Sequence, residues 1–412
     1  VSTPEERRAF GKRVAELRKR RGLTQDELAG ALGRTASWLS QVERGVQPVN
    51  RLDVLRLLAD GLGVSLEALR PDALTDPPVP ALPEPTEPND LDQARLLISG
   101  HPAPDILLGD HPMSMPADLS NLRATVHRVW ELTHESRFAE LSVTVGALLP
   151  QIEHAVRTAP AEERPELWLL LSRTYQALSA AFARQDEGDA AWVAADRAIR
   201  AAEQAGQPLQ VFASVSRLAQ AFVRLRRLDQ AERVATTGVS ALLRLGDSAE
   251  PEALSLLGAL QLVLALTHAR AGERGKAREA LGLARQVAQR IGEDRNDFNT
   301  EFGPTNVEIQ AVALAVELGD AGEAIEIGLR IDPGDLSVER RARLFLDIGR
   351  AYAQRRQSSE ALACLLKAEE IAPELIRTHT VARTTVRELL LLTGQTAPPE
   401  LVALAERADA QP

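Results

Sequence analysis

Apolar residues in the first 70 positions recur at helical spacing. Phe10, Val14 and Leu17, spaced by four and three, put one stripe on a helix over residues 5–21 that Gly22 ends. Thr24 and Glu27 form a capping box, in which hydroxyl and carboxylate satisfy each other's unpaired N–H groups, so a helix begins at about Gln25. Its stripe is Leu28, Ala29 and Leu32, and Gly33 at its end can take the left-handed conformation that closes it. A second short helix follows, with Thr35 as N-cap, Leu39 and Val42 facing inward and Gly45 as its stop. The chain then turns through Pro48 into a helix whose inner face is Leu52, Leu55, Leu58 and Leu62. Ser65 caps a last one ending near Arg70.

From about Leu119 the pattern is helical again and recurs. Phe345, Ile348, Gly349, Tyr352, Ala361, Ala368 and Pro373 give large, large, small, aromatic, small, small, proline. Trp168, Leu171, Ser172 and Tyr175 restart it, with Ala191 and Ala198 following after a longer connection. Val215, Leu218, Ala219, Phe222 and Ala231 give another copy, and Leu264, Ala265, His268, Gly272, Ala277 and Ala284 a third. Ala315, Gly319 and Ala324 give a fainter one. Residues 119–157, with Trp130 and Phe138, read as a degenerate first repeat, and Val386 to Ala408 as a terminal cap. A helix pair cannot bury its own apolar face, so such repeats stack into a superhelix with an exposed concave groove. The predicted fold class is all-α: an N-terminal helix-turn-helix domain over 1–70 and a helical-repeat superhelix over 119–412.

Composition separates these two parts. Residues 71–116 hold 11 of the 24 prolines, which marks 71–118 as an extended linker interrupted by one helix, Leu91 to Ile98. Proline ligation by a recognition domain is the other use of such a stretch, and the spacer is the simpler one. The net charge of −10 also divides: residues 1–70 carry 13 Lys or Arg against 9 Asp or Glu, so the excess of acid lies in the body. A basic end, including Arg7, Arg8, Lys12, Arg13, Lys19, Arg20 and Arg21, suits phosphate neutralisation. The single cysteine, Cys364, excludes an intramolecular disulfide and a cysteine-cluster zinc site. No apolar run approaching a membrane span and no signal-peptide core is expected, so a soluble, cytoplasmic protein without membrane contact is.

Two short helices around a tight turn are the helix-turn-helix unit. Arg18-x-x-x-Gly22-Leu23-Thr24-Gln25-x-Glu27-Leu28-Ala29, then Ser37-Trp38-Leu39-Ser40-Gln41-Val42-Glu43-Arg44-Gly45, resemble the Cro/lambda-repressor-type domain of XRE-family regulators. That resemblance implies a double-stranded DNA operator as partner, with Gln25, Asn50 and Arg51 near phosphates. It sets Arg34, Thr35, Ala36, Ser37, Ser40 and Gln41 on or beside the helix that meets base edges. An amide such as Gln41 can bridge N6 and N7 of adenine. Ala36 offers only a methyl, so shape readout gains weight. Arg18 and Glu43 match the family's structural ion pair, and Trp38 reads as core. The later repeats resemble tetratricopeptide repeats, and FGPTNVE at 302–308 resembles a segment of actinobacterial regulators with this two-part architecture. Its plainer reading is a second capping box, Thr305 to Glu308, with Asn306 as a candidate ligand group.

No catalytic constellation is expected, and no cofactor or metal. GERGKA at 272–277 lacks the glycine spacing and the hydroxyl of a phosphate loop and reads as a repeat turn. His127 and His134 are too far apart along a helix for one ordinary metal and read as surface residues. The implied function is a DNA-binding transcriptional regulator, a homodimer, whose repeats bind a peptide, a small anion or a protein partner. The alternative is a repeat scaffold merely tethered to DNA. Aligning the copies on Tyr175, Phe222, His268, Ala315 and Tyr352 turns Arg173, Gln220, Arg224, Arg270, Asn306, Arg343 and Arg350 into the groove, a guanidinium-rich face suited to carboxylates and phosphates.

Overall fold

The computed structural model describes residues 4–411 apart from 33–34, 48, 50–53, 55–57, 60, 63, 65–68, 70–88, 101–117, 245–249 and 335. The chain forms two compact units, Val1–Thr86 and Glu87–Pro412. Among the described residues every regular element is a helix, save one isolated bridge between Arg295 and Phe302.

The N-terminal unit contains α1 (Pro4–Arg20), α2 (Gln25–Ala31) and α3 (Ala36–Glu43). The capping box forms as the sequence requires: Thr24 N donates to Glu27 Oε2 at 2.7 Å, and Glu27 N donates to Thr24 Oγ1 at 3.2 Å. Val14, Leu28, Ala29, Leu39 and Val42 close one core with Leu58, Leu62 and Leu69, and Trp38 packs at its edge. Gly11 lets α1 cross the end of α3, because a Cβ there would lie 2.4 Å from the Val42 carbonyl oxygen.

The C-terminal unit opens with α4 (Asp92–Ser99). This helix corrects the linker reading of its stretch: Leu91, Ala94 and Ile98 are buried in the core of the first repeats, and Arg95 pairs with Glu187 and Asp189. Six helical hairpins follow: α5 (Leu119–His134) with α6 (Phe138–Thr158), α7 (Arg164–Arg184) with α8 (Gly188–Gln204), α9 (Pro208–Arg224) with α10 (Leu228–Leu243), α11 (Pro251–Arg270) with α12 (Arg274–Ile291), α13 (Pro304–Glu317) with α14 (Ala321–Gly328), and α15 (Val338–Gln354) with α16 (Ser358–Ile371). The array ends in α17 (Pro373–Thr378), α18 (Thr380–Thr393) and α19 (Pro399–Arg407).

All six hairpins use one turn. A residue with positive φ stands at its centre: Ser136, Asp186, Arg226, Gly272, Gly319 and Arg356. The next N–H reaches back to a carbonyl near the end of the first helix, from Arg137 to Leu132, Glu187 to Phe182, Arg227 to Phe222, Glu273 to His268, Asp320 to Ala315 and Gln357 to Tyr352. This is the bonding of a Schellman closure. Five residues after each left-handed position comes a buried residue of the second helix: Leu141, Ala191, Ala231, Ala277, Ala324 and Ala361. Small side chains there let the paired helices approach.

The array is not the open groove expected. Asn89, just before α4, donates to Ser136 O at 2.8 Å and to Glu374 Oε2 of α17 at 3.0 Å, so the first and last repeats meet. The segment 293–303 folds into the concave face, its backbone left-handed at Phe298, Asn299 and Glu301. Phe302 is fully buried and reaches Gly258 of α11 with the tip of its ring, where a Cβ would fall 1.9 Å from Cζ. By length and composition α11 could cross a membrane, contrary to expectation, yet 78% of that stretch is buried within the unit. A helix apolar all round belongs to a core of this kind.

Gly258→Ala should destabilise the C-terminal unit by about 1–3 kcal/mol through overpacking against Phe302. Gly275→Ala, on an exposed helical position with nothing near its Cβ, should stabilise by about 0.5–1 kcal/mol. Urea titrations of the two variants should move in opposite directions from the parent.

Candidate nucleic-acid interface and ligand cavity

In the N-terminal unit one buried carboxylate fixes all three helices. Glu43 Oε1 lies 2.6 Å from Arg18 Nε, Glu43 Oε2 accepts from Gln25 Nε2 at 2.7 Å, and Arg18 Nη1 donates to Leu23 O at 2.7 Å. Burial alone would raise the Glu43 carboxyl, but the hydrogen bonds from Arg18 and Gln25 outweigh it and hold it below its ordinary value. One amide hydrogen of Gln25 is therefore engaged within the domain, and the second remains for an outside acceptor such as a phosphate.

With Leu39 and Val42 buried, the opposite face of α3 turns outward. Ser37 is exposed, while Ala36, Ser40 and Gln41 are half-buried beside it. Thr35 caps the helix, accepting from Trp38 N at 3.2 Å. Arg34, Asn50 and Arg51 lie outside the described residues.

The first helices of the repeats enclose a cavity of about 200 Å³. Its lining is rich in cations: Arg184 from α7, Arg217 and Arg224 from α9, Arg270 from α11, and Arg340, Arg343 and Arg350 from α15. Against these seven stand three lining carboxylates, Glu317, Glu339 and Asp347. The same lining carries apolar groups, Ala259, Leu262, Val263 and Leu266 of α11, Ala313 of α13, and Phe302.

The carboxylates are already spoken for. Arg350 pairs with Asp347 at 2.8 Å and Glu317 at 3.0 Å, and Arg270 approaches Glu317 at 3.8 Å. Glu339 receives Arg343 at 3.1 Å and lies 3.9 Å from Arg184 and from Arg340. These neighbours overcome its burial and hold it far below the usual carboxylate range. Arg343 also donates to His379 Nε2 at 2.8 Å.

Arg217 and Arg224 make no ion pair among the described residues. Arg217 donates to Asn299 O at 2.7 Å and sits 5.4 Å from the centre of the Trp130 ring. Burial, with Arg184 and Arg340 nearby, pushes its guanidinium down to about 9. Arg224 faces Arg343 and Arg270 and is pushed down to about 10, chiefly by burial. Both stay protonated at neutral pH. Asn306 is buried at the same wall, and its Oδ1 has no hydrogen-bond partner.

Of the predicted groove residues, Gln220, Arg224, Arg270, Asn306, Arg343 and Arg350 line this cavity. Arg173 does not: it lies in a neighbouring recess with His127, Trp130 and Asn299. The cause is register. The common turn equates Phe182, not Tyr175, with Phe222 and His268, so the cavity residue of α7 is two residues beyond Phe182. That residue is Arg184, the counterpart of Arg224 and Arg270. Arg217, one turn before Gln220 on the same face of α9, was missed as well, although i, i+3 spacing pointed to it.

Two smaller expectations also fail. Thr305 and Glu308 form no capping box, because the Thr305 N–H goes to Asp294 Oδ1 at 3.0 Å and Glu308 pairs with Arg285 at 2.7 Å. His134 is no surface residue: it lies 3.7 Å from Glu301, and burial, reinforced by Arg184, pushes it down to about 4.

The N-terminal unit is thus a helix-turn-helix domain, the class of module with which regulators bind DNA. A family model described as a helix-turn-helix domain matches residues 9–73. No curated protein matches the chain.

Two buried histidines of the C-terminal unit predict a pH dependence. His134 and His379 both lie below their ordinary value, His379 through burial and then the charges of Arg343 and Arg224, with Glu339 opposing and Arg350 adding. The unfolded chain binds protons near pH 6.5 where the folded one does not, so stability is full above about pH 6.5 and falls as pH drops. The urea midpoint of the C-terminal unit should decline from pH 7 to pH 5, and His379→Asn should flatten part of that decline.

Proposed function

We propose that this chain is a sequence-specific transcriptional regulator of the XRE type whose tetratricopeptide-like repeats sense a ligand that controls DNA binding. The observation that carries the reading is a helix-turn-helix domain on the same chain as a repeat unit enclosing a cavity with two unpaired arginines. Arg217 finds neutral acceptors and the Trp130 ring, and Arg224 has no hydrogen bond or ion pair among the described residues, so neither buried charge has an opposite charge at contact distance to offset its desolvation. Such groups are placed for an anion from outside. The repeats then supply a sensor, and no step of catalysis is assigned to them.

On the DNA side, Ser37 and Gln41 offer the hydroxyl and amide that read base edges in the major groove. Gln41→Ala should weaken specific binding by about 1–3 kcal/mol and relax preference at one base position, whereas Arg51→Ala should weaken all sequences alike. Genome-wide capture of bound DNA with and without cell extract would supply the operator for these titrations. Unchanged affinity and preference in Gln41→Ala would remove α3 as the reading helix.

A reader of this size covers one half-site, and two recognition helices about 34 Å apart on one face of DNA gain affinity together. The working form is therefore a homodimer on a two-fold operator. Light scattering of the free protein and of its operator complex should give twice the chain mass; a single chain mass in both would contradict this.

A further inference from the structure

We infer that the cavity takes a compact amphipathic anion, a carboxylate or phosphate head on an apolar body, and not an extended peptide. This rests on the sensor reading above and names the ligand class of that site. Three features of the wall converge on it.

The first is the excess of cations over carboxylates along the lining. Arg217 and Arg224 project from one face of α9 and make no ion pair among the described residues, while Arg224 faces Arg270 and Arg343. An anionic head between these groups replaces cation–cation repulsion with attraction and finds planar N–H donors in a fixed array. The second is the apolar part of the same lining. Leu262 and Leu266 precede Arg270 on one face of α11 and Phe302 joins them, so a ligand whose head meets the arginines lays the rest of itself on apolar side chains, where further charge would be desolvated without return. A hydrocarbon or ring body fits it.

The third is Asn306, 2% exposed and lining the cavity, with an amide oxygen that has no hydrogen-bond partner among the described residues. A buried polar group of this kind calls for a partner. A hydroxyl or amide group on the ligand, beside its acidic head, would supply one. Size argues against the long ligand. About 200 Å³ is below the roughly 300–1,000 Å³ of pockets for drug-sized molecules. An extended peptide laid along the repeats would also have to pass the Asn89–Glu374 and Arg184–Glu339 contacts that cross the array.

The test uses the full-length protein without DNA, by calorimetry and thermal unfolding. The probes are octanoate and octyl phosphate, with octanamide as the neutral analogue and succinate and inorganic phosphate as anions without an apolar body. At least one amphipathic anion should bind and raise the unfolding midpoint, with affinity at least tenfold above that of octanamide and of the bare anions. Which of the two binds better identifies the head group.

Arg224→Gln, which removes a cation without a described partner, should lower that affinity at least tenfold while leaving the free protein folded. Leu262→Glu should abolish binding by placing a carboxylate inside the cavity. The inference is overturned if octanamide matches octanoate, if neither amphipathic anion binds, or if Arg224→Gln binds as the parent does. Operator titrations with the best probe separate the two levels. Binding without any change in DNA affinity leaves the site standing and defeats the sensor reading. DNA binding that answers to cell extract, with no probe bound, does the reverse.

Discussion

The C-terminal unit depends on Glu339. This carboxylate is almost fully buried, yet it stays ionised because Arg343, Arg184 and Arg340 surround it. Arg343 and Arg340 belong to the sixth hairpin and Arg184 to the second, so one charge ties distant parts of the array together. A buried ion pair of this kind adds little net stability over apolar packing, but removing one member leaves a stranded charge. Its consequence is geometric: with Asn89 bound to Glu374, it ties the ends of the array across the cavity. The arginines of α9 and α15 thereby line one chamber.

Much of this organisation was legible in sequence because it obeys local rules. A left-handed turn residue followed five positions later by a small buried residue is a backbone requirement, and Ala191, Ala231, Ala277, Ala324 and Ala361 mark it. Register within a helix was harder to read. Tyr175 and Phe182 lie two turns apart on the same face of α7 and are both buried, so an aromatic alone could not decide which one precedes the turn. The turn decides, since the Glu187 N–H bonds to Phe182 O. That slip displaced Arg173 into the chamber and hid Arg184.

Other parts were not legible because they depend on contacts far along the chain. Proline content marks the stretch before Leu119 as non-core, but says nothing of where Leu91, Ala94 and Ile98 dock. The left-handed backbone at Phe298, Asn299 and Glu301 is costly for residues with side chains. It is held by tertiary bonds, from Arg217 to Asn299 O and from Ser337 to Glu301. In the N-terminal unit the opposite holds. The capping box and the Leu39–Val42 face follow from local spacing, and the Arg18–Glu43 pair, 25 residues apart, came from the family resemblance and forms as that resemblance implied.

A chamber of this kind can report on a ligand only if the ligand distinguishes two states of the array. In the array as described Arg224 faces Arg343 and Arg270, so the contacts of Glu339 and Asn89 hold cations near one another. On the sensor reading proposed above, an anion there would offset that repulsion and would lose the cluster in any arrangement that parts these helices. Its differential affinity would then favour the arrangement that Glu339 holds together.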